Sequence, residues 1–400
     1  MERSAYVALR QELASLTVFR QLLSDPVLSA LCRYLNTLPA DDTCASVSAY
    51  AGFVDALYTA NGGDLPRYMD AVCGNCENVY VRTVGCGGTP PAYITACVQR
   101  ELAILSRVAS LTPENLTAGL GYGGELPCFA SAPTDLAGSY AHRVENIGKY
   151  GYGKYAANRM FFIDDQSRIL PVAHPDSIRL DALVDYESER GRVLENTRAL
   201  LAGKPAANIL LTGDAGTGKS STVKAVGNEL FAEGLRIIEV RRSQLTLIPH
   251  ILDELSDNPL KFILFIDDLS FLKDDDQFST FKAVLEGSVS ARSGNVVIYA
   301  TSNRRHIIKE TFSDRDGDEV HRNDTMQELI SLSARFGMHI TFGKPDKQTY
   351  LHIVHNLAES AHLSLEPAEL ELQAERFALE KGGRSARCAR QFVDSLLAAQ

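Results

Sequence analysis

The sequence predicts an α/β core built on a parallel sheet, with a mainly helical domain before it and a helical segment after it. Three observations carry that prediction. Residues 208–220 read NILLTGDAGTGKS, in which Ile209 to Leu211 run into a complete match to G-x-x-x-x-G-K-[ST] at Gly213–Ser220. Further apolar runs at 235–240 (LRIIEV), 262–266 (FILFI) and 296–300 (VVIYA), with a weaker one at 338–342 (MHITF), alternate with helix-like segments, the order that feeds a parallel sheet. After Pro345 only helical periodicity remains, over 346–360, 367–379 and 384–398. We therefore expect a helical domain over 1–150, a linker over 151–174, the α/β core over 175–345 and a helical domain over 346–400.

The elements follow in order. Leu13, Leu16, Phe19 and Leu23 give residues 1–37 helical spacing, and Pro39-Ala40-Asp41-Asp42 interrupts it. Helical pattern covers 46–72, broken at Asn61-Gly62-Gly63, and returns at 92–109; Pro113 with Glu114 fits the first turn of a short helix. The stretch 77–91, ENVYVRTVGCGGTPP, is the one strand-like patch, and 119–135 is loop-like in its glycines and prolines. Tyr140, Tyr150, Tyr152 and Tyr155 then interleave with His142, Arg143, Lys149 and Lys154. Such a mix can stack bases and hold phosphates; the commoner use is packing onto neighbouring structure. From Pro175, Ile178, Leu183 and Tyr186, then Val193, Thr197 and Leu200, give helical spacing up to the first core strand.

The net charge of −10 is shared by both parts, so neither has the bulk positive charge of a strong nucleic-acid binder, although a local basic groove stays open. No apolar run is long enough for a membrane span, and the first residues mix acidic with basic side chains, unlike a secretory signal. A cytoplasmic location without membrane contact is the expectation. Seven of the eight cysteines lie in the first third, and reduced thiols are expected in such a chain. Cys73, Cys76 and Cys86 are the only metal-like spacing, with a zinc or iron–sulfur site as the alternative to buried thiols.

A strand, a Gly-rich turn and a helix start place backbone N–H groups around a phosphate. Gly213, Asp214, Ala215, Gly216, Thr217, Gly218, Lys219, Ser220 and Ser221 are accordingly the candidate nucleotide-binding residues. Lys219 is expected to reach the β and γ phosphates of a triphosphate such as ATP, and Ser220 to ligate Mg²⁺. The run KFILFIDDLSFL at 261–272 suits a doubly buried strand, with Asp267 and Asp268 emerging at its C-terminal end, where ligands bind in open α/β sheets. Asp267 is expected to hold Mg²⁺ through its water shell and Asp268 to polarise an attacking water. Asn303 ends the next strand, within reach of that water or of the γ phosphate, and Arg304 and Arg305 follow it. Arg335, in LISLSARFGMHITF, suits either a charge-stabilising contact to a neighbouring subunit's nucleotide or the ordinary preference of arginine for a helix C-terminus. Arg384, Arg387 and Arg390 open the last helix, where the dipole disfavours cations, which points to an anionic partner. Arg387 is the choice for the γ phosphate and Arg384 the fallback.

In this order the five elements resemble those of the AAA+ ATPase superfamily: Walker A at 213–220, Walker B at 263–268, sensor 1 at Asn303, the arginine-finger box at 331–337 and sensor 2 near Arg387. The whole chain is similar to a bacterial family of AAA+ ATP-binding proteins called domain of unknown function 815. The similarity rests on YESERGRVLENTRALLAGKPAANILLTGDAGTGKSSTVKA at 186–225, the DDLSF segment, DTMQELISLSARFG at 324–337 and SARCARQF at 385–392. It is strongest over about 175–395. The resemblance implies a P-loop NTPase core with a C-terminal helical lid, ATP and Mg²⁺ as ligands, hydrolysis to ADP and phosphate, and a homo-oligomer in which Arg335 completes the next subunit's site. Arg315 or Arg322, in the longer and more charged segment 311–323, competes for that role. From the domain architecture alone, an unidentified protein partner is expected to be met through the N-terminal domain. Action on DNA stays open, though the net charge does not indicate it.

Overall fold

The computed structural model describes residues 3–40, 42–118, 120–269, 281–285, 294–303, 334–363 and 365–398. Arg304, Arg305, Arg315 and Arg322 lie outside them. The chain divides into two units, Met1–Ala157 and Asn158–Gln400. No helix among the described residues is long and apolar enough to cross a membrane.

The first unit is helical because short polar side chains start its helices and prolines fit their first turns. Asp25 caps α2 (Pro26–Thr37), Asp42 caps α3 (Thr43–Asn61) and Asp64 caps α4 (Leu65–Asn75), each accepting from backbone N–H groups of the first turn; α1 (Arg3–Ala14) precedes them. Gly62, at φ +76°, ends α3 in the left-handed region. The strand-like patch at 77–91 is instead a helix, α5 (Val79–Gly85). Asn78 decides this locally: its side chain accepts from the Val81 N–H at 3.0 Å. Only Val81 of that helix is buried, so its β-branched residues gain little from an extended form. α6 (Ala92–Ala109), α7 (Pro113–Thr117), α8 (Leu136–Glu145), α9 (Ile147–Tyr150) and α10 (Lys154–Ala157) complete the unit around a core that includes Phe19, Tyr34, Tyr50 and Phe53.

The tyrosine-rich stretch packs within this unit: Tyr140, Tyr152 and Tyr155 are buried, and Arg143 lies over the Tyr150 ring at 5.0 Å. Cys73 and Cys76 are buried and burial pushes both thiols up, whereas Cys86 is exposed. No metal-binding group of three or more His, Cys, Asp or Glu occurs among the described residues.

The second unit is organised by a seven-stranded sheet of order β2-β1-β4-β5-β6-β3-β7. Its strands are β1 (Met160–Ile163), β2 (Ile169–Pro171), β3 (Ile209–Gly213), β4 (Leu235–Glu239), β5 (Lys261–Ile266), β6 (Val296–Ser302) and β7 (Met338–Phe342). All pairings are parallel except β1 with β2. The stretch 151–174 is therefore not a linker throughout. MFFI forms β1 beside β4, and Asp164 turns the chain into β2 by accepting from the N–H groups of Gln166 (3.0 Å) and Arg168 (2.8 Å). The helical spacing read from 178 onward also holds only in part. The helix α11 spans Glu187–Leu201, and 178–186 is a strap without regular structure. After β3 comes α12 (Lys219–Glu229), and α13 (Ile248–Leu255) precedes β5. The last three helices, α14 (Lys347–Ser360), α15 (Pro367–Glu380) and α16 (Ala386–Leu397), bury a cluster of their own around Tyr350, Ala374 and Phe392.

Candidate nucleotide site

The sheet sets the site. β3 runs between β6 and β7, so the loop after β3 emerges beside the ends of both neighbours. Gly213 adopts φ +139°, and an added Cβ would run into the Phe342 carbonyl of β7, so only glycine fits there. Gly216, at φ +80°, lies against α16: an added Cβ would come 2.9 Å from Arg387 Cβ. The Gly216 carbonyl accepts from the Arg387 N–H at 3.2 Å, docking the loop to the start of that helix.

Two chains of hydrogen bonds join the sequence candidates. Lys219 Nζ donates to the carbonyls of Gly213 and Asp214 (2.8 Å each) and to Asn303 Oδ1 (3.0 Å); Asn303 Nδ2 in turn donates to Asp268 Oδ1 at 2.8 Å. Ser220 Oγ donates to Asp267 Oδ1 at 2.6 Å. The same oxygen accepts from Thr301 Oγ1 at 2.6 Å, and Thr301 Oγ1 accepts from the Asp268 N–H at 3.0 Å. Burial pushes the Lys219 pKa down, against the opposing pull of Asp214, Asp267 and Asp268. Asp268 itself sits at φ +54°, an uncommon conformation for a residue with a side chain.

These groups face a cavity of about 550 Å³, within the range of roughly 300–1,000 Å³ usual for small-molecule sites. One wall carries the loop from Gly216 to Thr222 with Asp267, Asp268, Asn303, Arg387 and Arg390. The other includes Leu183, Val184, Ile353 and Leu357. Of the candidates, Gly213, Asp214 and Ala215 shape the loop without lining the cavity, whereas Thr217 and Ser221 line it. Arg384 does not line it: its guanidinium bonds Glu375 at 2.8 and 2.6 Å. Arg335 is half-buried just before β7 and is likewise outside the cavity of its own chain.

Sequence reasoning missed the strap 178–186 as a cavity wall, and with it Arg190. It also missed Thr301 as the bridge between the two acids. The strap's apolar residues were visible but were assigned to a helix. Thr301 had no signal beyond standing at a strand end.

The sequence model of the family described as protein of unknown function (DUF815) matches residues 155–400. The chain belongs to this family. The match takes in the whole sheet and the last three helices. Among solved structures, this DUF815 member is similar to the Thermotoga maritima RuvB Holliday junction branch migration motor, with 15% identity and a TM-score of 0.37 over 54% of this chain and 63% of that one. It is also similar to a katanin solved in a study of katanin self-assembly, with 16% identity and a TM-score of 0.34 over 54% of this chain and 69% of that one. The chain thus spans less than two thirds of the RuvB structure. No curated protein matches it.

Proposed function

We propose that this protein binds ATP with Mg²⁺ in the cavity and hydrolyses it to ADP and phosphate, coupling the reaction to movement of the helical lid and of an unidentified partner. One observation carries the reading: Lys219, Ser220, both strand-end acids and Asn303 form a connected polar wall, and Arg387 of the lid lines the same cavity. The adenine would lie against the apolar wall of Leu183, Val184, Ile353 and Leu357. The triphosphate would meet the loop N–H groups and Lys219. The hydroxyl of Ser220 and the carboxylate of Asp267, 2.6 Å apart, are the hard oxygen donors that suit Mg²⁺. Bound there, the ion would neutralise phosphate charge. Asp268 would take the proton of the attacking water, with Asn303 orienting the carboxylate. Lys219 and Arg387 would offset charge that develops on the γ phosphate, and Arg335 would do so for the next subunit of an oligomer.

The measurement is phosphate release by the purified protein and by Asp268→Asn and Arg335→Ala. Turnover is expected to fall about 10²–10⁴-fold in Asp268→Asn, the usual scale for a lost general base, with ATP binding retained. Mixing Arg335→Ala with wild type should poison wild-type turnover. If neither substitution changes a measurable rate, the hydrolytic reading fails.

A second reading is a nucleotide-dependent switch or loader with slow turnover, acting on protein or DNA. The observation favouring it is Asp268: shorter than a glutamate, it is held by Asn303 at 2.8 Å. ATP-dependent, salt-sensitive retention of DNA by a protein with negligible turnover would select it.

A further inference from the structure

The strap 178–186 forms part of the cavity wall without regular structure of its own. It contains two consecutive side-chain-bearing residues in the left-handed region, Asp185 (φ +60°) and Tyr186 (φ +61°). Such a backbone persists only where its surroundings enforce it. His352 Nδ1 meets the Asp185 carboxylate at 3.1 Å, and the backbone of the strap is held by Arg190, in the first turn of α11 and 9% exposed. The Arg190 Nη1 donates to the carbonyls of Leu183 and, at 3.4 Å, Leu180; its Nε donates to the Tyr186 carbonyl at 3.4 Å. Nη2 bonds Glu187 at 3.2 Å, but that carboxylate is mostly in water, so the pair contributes little. One guanidinium thus gathers three carbonyls of one strap.

We propose that Arg190 is a positioning residue that fixes the strap for recognition of the nucleotide base and so sets the preference of the site for adenine. The inference rests on the ATP-binding reading above. A planar guanidinium presents five donors in a fixed fork, and this one spreads them over three peptide groups. A lysine ammonium is a compact point charge and cannot span the same set. Carbonyls turned to Arg190 are withdrawn from the ligand. Val184, which lines the cavity, keeps both its N–H and its C=O clear of hydrogen bonds to the described residues. An N–H and a C=O on one residue match the edge of adenine, which offers a ring-nitrogen acceptor beside an amine donor. Guanine offers a carbonyl and a ring N–H there, the reverse polarity. A strap free to rotate would expose other carbonyls and lose that distinction. Further ties hold the ends: Asn228 Nδ2 donates to the Asp176 (2.9 Å) and Ile178 (2.7 Å) carbonyls, and the Tyr186 hydroxyl donates to the Gly343 carbonyl at 2.7 Å. Arg190 holds the middle, where the apolar wall is made.

The test is calorimetric titration of the full chain with ATP, GTP and inorganic tripolyphosphate, for wild type, Arg190→Met and Arg190→Lys. Wild type should prefer ATP to GTP by about tenfold or more, the scale of one well-made pair of hydrogen bonds. In both variants that ratio should collapse towards one through weaker ATP binding, while tripolyphosphate affinity stays near wild type. Tripolyphosphate reports the phosphate-binding groups without the base, so its retention shows that the fold is intact. If Arg190→Met does not fold, Arg190→Lys carries the same comparison. A variant that retains the wild-type ratio overturns the role of Arg190. A wild type without preference overturns base recognition by the strap instead, before any variant is considered.

Discussion

In the helical unit the buried carboxylate of Glu101 accepts from the backbone N–H groups of Thr17 (2.7 Å), Phe19 (2.9 Å) and Val18 (3.3 Å), and from the Cys97 thiol at 3.1 Å. In the α/β unit Lys219 is 4% exposed and also fully engaged, yet it lines an open cavity and bonds loop carbonyls and a side chain. Glu101 closes a turn between α1 and α2. The residues that line the same cavity as Lys219 include Asp185, Tyr186 and Asp268, three of the five side-chain-bearing residues with positive φ among the described residues. The remaining two, Ser167 and His362, also belong to the second unit. A polar group satisfied by relaxed backbone reads as structure. One that shares a cavity with strained backbone reads as a site.

Substitutions in the two regions should therefore separate stability from function. Lys219→Ala should lower turnover by about 10²–10³-fold, the usual loss when one preorganised donor to developing charge is removed, with the melting temperature near wild type. The check is turnover beside a thermal melt. A large loss of Tm with turnover intact would place Lys219 with Glu101 as a structural group.

Glu101→Gln should do the reverse. Losing charge-assisted hydrogen bonds to backbone costs about 1.5–3 kcal/mol, and ATP affinity should not change. Burial alone would raise the Glu101 pKa, but the N–H of Phe19, the Cys97 thiol and the N–H groups of Thr17 and Val18 outweigh it and hold the carboxyl below its usual range. The sign follows. A depressed folded pKa contributes stability that is complete above the unfolded value of about 4.3 and is lost as pH falls through the folded value. The Tm gap between wild type and Glu101→Gln should hold constant from neutral pH down to about 5 and shrink in stronger acid. A gap that persists unchanged there would show that the charge is not what matters.

The same contrast explains what the sequence made legible. Strands of the core announce themselves because both faces are buried: Ile209 to Leu211 and Phe262 to Ile266 are continuous apolar runs, and each was read in place. The strand-end residues followed, since Asp267, Asp268 and Asn303 can only emerge where those strands stop. β1 was missed because MFFI is four residues long and sits among turn signals. The strap was missed because Ile178, Leu183 and Tyr186 fall on helical spacing while the strap is held by Asn228, Arg190 and the Gly343 carbonyl. Periodicity reports which side chains are apolar; it is silent on an arginine that bonds carbonyls. At 77–91 the β-branched residues read as a strand, and the Asn78 cap, which that pattern does not register, prevails in the fold.

The smallest expected effect distinguishes two arginines three residues apart. Arg384 is held by Glu375 through two hydrogen bonds and is partly exposed, just before α16. Its loss in Arg384→Ala should leave the melting temperature close to wild type, as for an exposed ion pair, and leave ATP affinity unchanged. Arg387 lines the cavity and its backbone N–H holds the Gly216 carbonyl, so its side chain is available to a phosphate. Arg387→Ala should weaken ATP by about tenfold, the scale of one charge-assisted contact, and weaken ADP less, because ADP lacks the γ phosphate. Titrations of both nucleotides against both variants check this. If Arg384→Ala proves to be the variant that separates ATP from ADP, the Glu375 pair must open on binding. The last helices would then carry the phosphate contact on the residue that the fold otherwise uses to hold α15 to the start of α16.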